Sequence, residues 1–325
     1  MRLKLVPAGT RIDFFRWSVV TKWASAGAML ASVALVSVVG LNFGIDFKGG
    51  TTIRTQSLHQ LDVGEYRAVL SGLNLGDVSI TEVRDPAAEL TGKAENVALV
   101  RIEQQAGEEA VSAETVSAIK DALRRIDPDM VFPLVDSVGP KVSGELIQAA
   151  VIAVVLAISA VLFYIWLRFE WQFSLGAVAA LVHDVVLTIG IFSLLQIKFD
   201  LAIIAALLTI VGYSLNDTVV VYDRVRENLR KFKKEPLRNV LNLSINETLS
   251  RTVMTSVTTL IALISLFVLG GDVIRGFVFA MIWGVVIGTY SSVFVASSML
   301  LRLGVKRDWS KKSAEAGPDF AKTDA

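Results

Sequence analysis

Three ionisable side chains lie inside long apolar stretches of this sequence, where they could hold or exchange a proton. Asp217 follows Asn216 in GYSLNDTVVVYDRVREN, Arg251 lies in INETLSRTVMTSVTTL, and Asp184 follows His183 in VHDV. A charged group within a bilayer costs roughly 2.5–3.5 kcal/mol on insertion scales, so residues of this kind are candidates for function. Because arginine keeps its charge, Asp217 is the group that we expect to take up and release a proton.

Asp217 and Arg251 are predicted to lie on consecutive antiparallel helices at similar depth, where their side chains can pair. Thr255 follows Arg251 by one turn on the same helical face. Two interpretations stay open from these residues. One is a structural ion pair that fixes the helices, and the other is a switch in which protonation of Asp217 breaks the pair and changes the packing.

Asp184 also has two interpretations. It can hydrogen-bond Thr188, one turn further on, and serve only in packing. Alternatively, Asp184 and the neighbouring His183 take part in a proton relay.

The composition places these charges in a membrane. The 325 residues are 53% hydrophobic and 19% charged, whereas soluble chains carry about 25% charged residues. Cysteine is absent and there are two histidines, so the sequence offers no disulfide, thiolate ligand or cysteine nucleophile. We therefore predict an integral membrane protein that is not an enzyme and holds no metal ion or cofactor. The net charge of +1 gives no indication of nucleic acid binding.

Six apolar stretches are long enough to cross a bilayer, which takes about 20 residues per helix. The first is interpreted as an uncleaved anchor rather than a signal peptide, because it is long and five more follow. Lys and Arg cluster in both tails and in one loop, so we expect these on the cytoplasmic side, with the loop near anionic lipids. The predicted parts are an N-tail 1–22, spans 23–45, 146–167, 171–195, 199–222, 247–270 and 276–301, an outer domain 46–141, a basic loop 223–246 and a C-tail 302–325.

The outer segment has the order of elements of a small α+β domain. Alternating patterns predict strands at 51–57, 78–84, 97–103 and 130–138, and helical spacing predicts helices at 61–73 and 108–126. This order is that of the ferredoxin-like arrangement. His59 is expected on its surface, and the domain is interpreted as a binding module or a lever.

The two junctions between the outer domain and the membrane contain glycine or proline. Gly49 and Gly50 follow the first span, and Gly139 and Pro140 precede the second. Since glycine permits unusual backbone angles, these residues are hinge candidates. An ordinary junction without hinge motion is the equal alternative.

Five motifs resemble the SecF family of bacterial protein-export subunits, part of the RND-like superfamily. They occur in order, at the matching spans: GIDFKGGT at 44–51, DSVGPKVSGEL at 136–146, VHDV at 182–185, GYSLNDTVVVYDRVREN at 212–228 and NETLSRTVMTS at 246–256. Their order and number make the resemblance more specific than any one motif.

The resemblance implies a fold and a role. It implies an RND-type half with six helices that pairs with SecD, a related six-span subunit, in the bacterial inner membrane. It also implies association with the SecYEG translocon and YajC, and use of the proton-motive force, without a cofactor, to complete export of unfolded preproteins. In the family, the aspartate of the ND-T motif and the arginine of the following R-T motif belong to the proton pathway. The matching residues are Asp217 beside Asn216, and Arg251 with Thr255.

Three alternatives are weighed against this function. Asp184 and Asp217 could form an intramembrane aspartyl protease, since paired carboxylates can share a proton, although Arg251 nearby would hold Asp217 ionised. An RND-type exporter half for a lipid or small molecule fits the six helices. A purely structural translocon subunit is the third, and it predicts that neutralising Asp217 leaves export intact.

Overall fold

We describe a computed structural model, which covers residues 7, 10–57, 59, 62–73, 75, 78–83, 96–103 and 111–305. Within these residues, six helices are long and apolar enough to cross a membrane, and four strands form one antiparallel sheet. The predicted fold class is therefore confirmed. Most of the C-tail, the first residues of the N-tail and residues 108–110 of a predicted helix lie outside the described residues.

The helices are α1 Ser18–Val38, α2 Ile45–Lys48, α3 Val63–Ser71, α4 Ala113–Leu123, α5 Pro140–Arg168, α6 Trp171–Leu195, α7 Leu201–Lys231, α8 Leu237–Leu269, α9 Asp272–Ser291 and α10 Ser297–Leu303. A π-helical segment, Ser292–Ala296, joins α9 to α10, and a 3-10 helix, Phe14–Trp17, precedes α1. The strands are β1 Gly50–Ser57, β2 Val78–Val83, β3 Asn96–Glu103 and β4 Val131–Val138.

The six spanning helices divide into an inner and an outer set. About half of the apolar window is buried in α6 and in the α9–α10 span, and 39% in α7, against 6% in α1 and α5 and 11% in α8. A helix that is apolar on all sides but little covered by protein must face lipid or another chain. The inner set, α6, α7 and α9, therefore forms the core, and it carries Asp184 and Asp217.

Several helix ends differ from the predicted spans. The first helix ends at Val38 rather than at 45, because Gly40 adopts a positive φ of 79°. The predicted loop 223–246 is largely helical, since α7 runs to Lys231 and α8 begins at Leu237. Apolar side chains on these extensions, such as Val225 and Leu241, are fully buried, so packing extends α7 as far as Lys231 and lets α8 begin at Leu237.

The outer domain has the strand order β2-β3-β1-β4, all antiparallel, which is the predicted ferredoxin-like arrangement. Helices α3 and α4 bury Tyr66, Leu70 and Ile119 with the sheet residue Ile53. His59 is exposed on 78% of its side chain, as predicted. It lies near Asp127, where a hydrogen bond from Ser57 lowers the pKa of the carboxyl group.

The segment after α1 is fixed to the loop between α6 and α7. The amide of Gly44 donates to the carbonyl of Phe199 at 2.8 Å, and the amide of Phe199 donates to the carbonyl of Asn42 at 2.7 Å. A carboxylate oxygen of Asp46 accepts from the amide of Leu201, the first residue of α7, at 3.0 Å. We call residues 42–46 together with 196–201 the clamp.

The glycines of the two junctions differ in conformation. Gly49 and Gly50 have φ values of 75° and 128°, which side chains disfavour. Gly139 has φ −77° and ψ 160°, an extended conformation open to any residue, and Pro140 is the first residue of α5. Only the first junction therefore requires glycine, and the hinge role of all four residues stays a prediction.

Close packing of α9 against α7 depends on small residues. A Cβ at Gly284 would lie 2.3 Å from Cγ1 of Ile210, whereas nothing lies within 4 Å of a Cβ at Gly212. We expect Gly284→Ala to lower the free energy of unfolding by about 1–3 kcal/mol, as overpacking does. Gly212→Ala is the control, expected to leave stability unchanged or raise it slightly. Thermal unfolding of the purified protein in detergent compares them, and equal midpoints would contradict the close contact.

Candidate functional site

The carboxylate of Asp217 on α7 accepts hydrogen bonds from two hydroxyl groups. Thr252 of α8 donates from Oγ1 to Oδ1 at 2.6 Å. Ser292, at the start of the π-helical segment, donates from Oγ to Oδ2 at 2.6 Å. Both distances are short for hydrogen bonds between oxygen atoms. One carboxylate thus joins α7, α8 and the end of α9.

Arg251 does not form the predicted ion pair with Asp217. Within the described residues, no salt bridge joins the two side chains, and Arg251 is exposed on the outer face of α8. Consecutive helical residues point about 100° apart, so α8 cannot turn both Arg251 and Thr252 toward Asp217 at once. The arginine acts on Asp217 only at longer range.

The structure places the other predicted pathway residues beside the site rather than in it. Thr255 is exposed, and its hydroxyl donates to the main-chain carbonyl of Arg251 at 2.6 Å. Asn216 is also exposed. Neither contacts the carboxylate of Asp217 among the described residues, and their place in the proton pathway stays a prediction.

Asp184 is fully buried and accepts three hydrogen bonds or close polar contacts. Ser214 of α7 and Ser291 of α9 donate to Oδ2 at 2.6 and 2.7 Å. Oδ1 lies 2.9 Å from Nδ1 of His183. The predicted contact with Thr188 is present, but the threonine hydroxyl donates to the main-chain carbonyl of Asp184 at 2.7 Å.

Two adjacent serines connect the two carboxylates. Ser291 donates to Asp184 and Ser292 donates to Asp217. The pair lies where α9 becomes π-helical, a local irregularity that often marks functional sites. The sequence gives no sign of this connection, because two serines in an apolar span do not reveal the partners they face.

The packing of α9 on α7 brings the serines within reach. A Cβ at Gly288 would lie 3.1 Å from Cβ of Ser214, so the absence of a side chain lets the helices approach. Ser214 itself lies one turn before Asp217 on α7. Ser214 nevertheless bonds to Asp184 on α6, so each hydroxyl that binds a carboxylate here comes from another helix and required the tertiary structure.

The arrangement suits proton binding better than hydrolysis or metal binding. Asp184 and Asp217 bind different serines, and no hydrogen bond joins the two carboxylates among the described residues. They therefore do not share a proton as a protease pair does. In the same part of the chain, no group of three or more His, Cys, Asp or Glu residues could hold a metal ion.

Comparison with known sequences identifies the family. The family model described as "Protein export membrane protein SecD/SecF, C-terminal" matches residues 118–306. A second family model, "SecD/SecF GG Motif", matches residues 34–57. The protein translocase subunit SecF of Cereibacter sphaeroides is 59% identical over 324 residues, covering 100% of this chain and 99% of the relative. The chain belongs to the SecF family of protein translocase subunits. It is therefore a multi-pass membrane protein of a transport family, and no enzymatic activity is indicated.

Two longer relatives carry SecD and SecF together in their names. The protein translocase subunit SecDF of Brucella abortus is 43% identical over 308 residues, which are 94% of this chain and 39% of that one. The crystal structure of SecDF from Thermus thermophilus, described as a translocon-associated membrane protein, matches with a TM-score of 0.79 and 33% identity. It covers 93% of this chain, which spans only 40% of the SecDF chain.

Proposed function

We propose that this chain pairs with SecD and uses the proton-motive force to promote late-stage translocation of preproteins. The chain corresponds to only two fifths of the SecDF structure, which leaves room there for a second half. The description of that protein as translocon-associated supports a role beside SecYEG, and we extend the proposal to YajC. The location is the bacterial inner membrane, with both termini cytoplasmic and the basic ends of α7 and α8 near lipid headgroups.

The observation that carries the proposal is the environment of Asp217. Its carboxylate is held by hydroxyls on two other helices, so a proton bound there changes contacts on three helices together. Moving one charge through 100 mV supplies about 2.3 kcal/mol. That is enough to shift a helix arrangement whose two states differ by a few kcal/mol.

In this cycle, Arg251 and Thr252 alternate as the neighbour of Asp217. A rotation of α8 by about 100° would replace Thr252 by Arg251 beside Asp217. In our proposal, the charged carboxylate pairs with the arginine and the protonated one with the threonine hydroxyl. Asn216 and Thr255 flank the same stretch of α7 and α8 and line the path of the proton.

The proposal is tested by export into inverted membrane vesicles that contain SecD and SecYEG, with or without this chain. We expect an imposed proton gradient to raise the rate of preprotein translocation only when the chain is present. Collapsing the gradient with an ionophore should remove the increase. An equal increase without a gradient would instead support a purely structural subunit, the second candidate, which the hydrogen bonds between α7, α8 and α9 also permit.

A further inference from the structure

A second group that can hold a proton lies in the core, apart from Asp217. His183 and Asp184 are each 1% exposed, and Nδ1 of the histidine contacts the carboxylate at 2.9 Å. The other ring nitrogen, Nε2, is buried and has no hydrogen-bond partner within the described part of the chain. The imidazole ring of His183 stacks on the ring of Tyr290 of α9, with 5.9 Å between the ring centroids. The tyrosine hydroxyl forms hydrogen bonds with Ser25 and with the carbonyl of Thr21, both on α1.

The charge of this pair depends on one proton. With the hydrogen of a neutral imidazole on Nδ1, donated to Asp184, Nε2 keeps a free lone pair and the pair carries one negative charge. A proton that forms a bond to Nε2 makes an imidazolium, whose charge the carboxylate balances. An uncompensated buried charge is costly, so the interior favours the loaded, neutral pair. An orphaned nitrogen is the atom at which such a proton would bind.

The two serines can respond to the charge of each carboxylate. Ser291 Oγ lies 2.7 Å from Asp184 and 3.1 Å from the carbonyl of Gly288. Ser292 Oγ lies 2.6 Å from Asp217 and 3.1 Å from the carbonyl of Thr289. Each hydroxyl therefore has two acceptors. It donates to a carboxylate whose charge is not balanced, and it can turn to the carbonyl once a proton on Asp217, or on the histidine beside Asp184, balances that charge.

We propose that His183 and Asp184 form a second proton-holding site of the transport cycle, coupled to Asp217 through Ser291 and Ser292. This inference rests on the proposed function. Two negative charges in the same core repel each other. A proton bound at one site removes part of this repulsion, so the other site then binds a proton less readily. Neighbouring serines on one helix end transmit the change in hydrogen bonding between them.

The groups that face the histidine–aspartate pair come from several helices. Asp217 on α7 is the linked carboxylate, and the positive charge of Arg251 on α8 acts on it at longer range. The phenol ring of Tyr290 on α9 stacks on the imidazole ring, and α1 contributes the uncharged Ser25. Ser291 and Ser292 are positioning residues, since they act through the carboxylates.

The experiment uses the full complex in inverted vesicles and measures gradient-stimulated export as a function of pH. We expect Ser291→Ala and Ser292→Ala each to move the midpoint of the pH profile by about one unit toward alkaline pH, because a carboxylate that loses a hydroxyl donor better stabilises a proton, either on itself or on the histidine beside it. Ser298→Ala is the matched control. Ser298 is buried further along the same span, and its hydroxyl donates to no carboxylate among the described residues.

Asp184 itself is tested in the same vesicles. We expect Asp184→Asn to remove the stimulated part of export and Asp184→Glu to restore a part of it. Infrared difference spectra between acid and alkaline pH should lose the imidazolium band of His183 in Asp184→Asn, because the amide carries no charge to balance that cation. If this variant fails to assemble, the serine variants decide the question alone.

The outcomes separate the inference from the proposed function. Unshifted pH profiles for both serine variants, or full stimulation in assembled Asp184→Asn, would overturn the second site. If Asp217→Asn still abolishes stimulation in that case, the proposed function stands. If stimulation survives in Asp217→Asn as well, the proposed function and the inference both fail.

Discussion

Asp217→Asn is expected to abolish the stimulation of export by a proton gradient, so that rates with and without the gradient become equal. Asparagine has nearly the same size, and its carbonyl oxygen can still accept from Thr252 or Ser292. It cannot bind a proton at neutral pH. The helices should therefore pack normally while the coupling is lost, and complex abundance, measured by immunoblot, should stay at the wild-type level.

Asp223→Asn is the matched control for this variant. Asp223 lies on the same helix, six residues later, and forms an exposed ion pair with Arg168 at 3.1 Å. Exposed pairs contribute little to stability, about 0–1 kcal/mol, so export should not change. Stimulation that persists in Asp217→Asn would mean that the proton travels elsewhere, and this chain would then be a scaffold.

Two substitutions on α8 distinguish the hydrogen bond to the Asp217 carboxylate from the general packing of the helix. Thr252→Val removes one hydroxyl donor without changing the volume, and it should weaken stimulation by up to about tenfold, since a hydrogen bond contributes about 0.5–1.5 kcal/mol. Thr248→Val, one turn earlier, removes a buried hydroxyl whose acceptors within the described residues are the main-chain carbonyls of Ser244 and Ile245. Equal effects of the two variants would indicate a general loss of packing.

The sequence predicted the architecture well because its signals are local. Runs of apolar residues mark spans, and alternating patterns mark the four strands of the outer domain, whose antiparallel order follows from the ferredoxin-like sequence of elements. The charges Asp184 and Asp217 were found by their cost in an apolar setting. Each of these signals is present within a few consecutive residues.

The partners of those charges could not be predicted, because they depend on how each helix is rotated. A shift of one residue on α8 decides whether Arg251 or Thr252 faces Asp217. That rotation is set by packing between helices, such as Gly284 against Ile210. The helical ends of the predicted loop 223–246 were missed for a related reason, since buried contacts rather than local propensity continue α7 and α8.

The clamp limits where the outer domain can move. Residues 42–46 are bonded to the loop between α6 and α7, and Asp46 accepts from the first amide of α7, the helix that carries Asp217. Bending can therefore begin only beyond Asp46. The next residues with conformations that require glycine are Gly49 and Gly50, and Gly50 pairs with both neighbouring strands, opposite Glu103 and Val138.

Lys198 lies where the outer domain faces this clamp. Burial lowers the pKa of its ammonium group, and Arg101 of β3 lowers it further, whereas Asp200, Asp46 and Asp136 of β4 raise it. Its charge thus interacts with two strands of the outer domain and with the membrane base. A covalent link between Lys198 and Asp136 would join the outer domain to the clamp at the membrane base.

Cross-linking Lys198→Cys to Asp136→Cys with a short, reducible thiol reagent is expected to stop gradient-stimulated export, and reduction should restore it. The chain has no native cysteine, so only the engineered pair can react. The control pair, Asn42→Cys with Gln196→Cys, joins two residues of the clamp, already connected by a hydrogen bond of 2.9 Å, and its cross-link should leave export unchanged. Because both links lie at the same membrane face, a difference between them measures movement of the domain rather than the presence of a linker. Export that continues at full rate in the Lys198–Asp136 cross-linked protein would exclude the lever and leave the outer domain as a binding module.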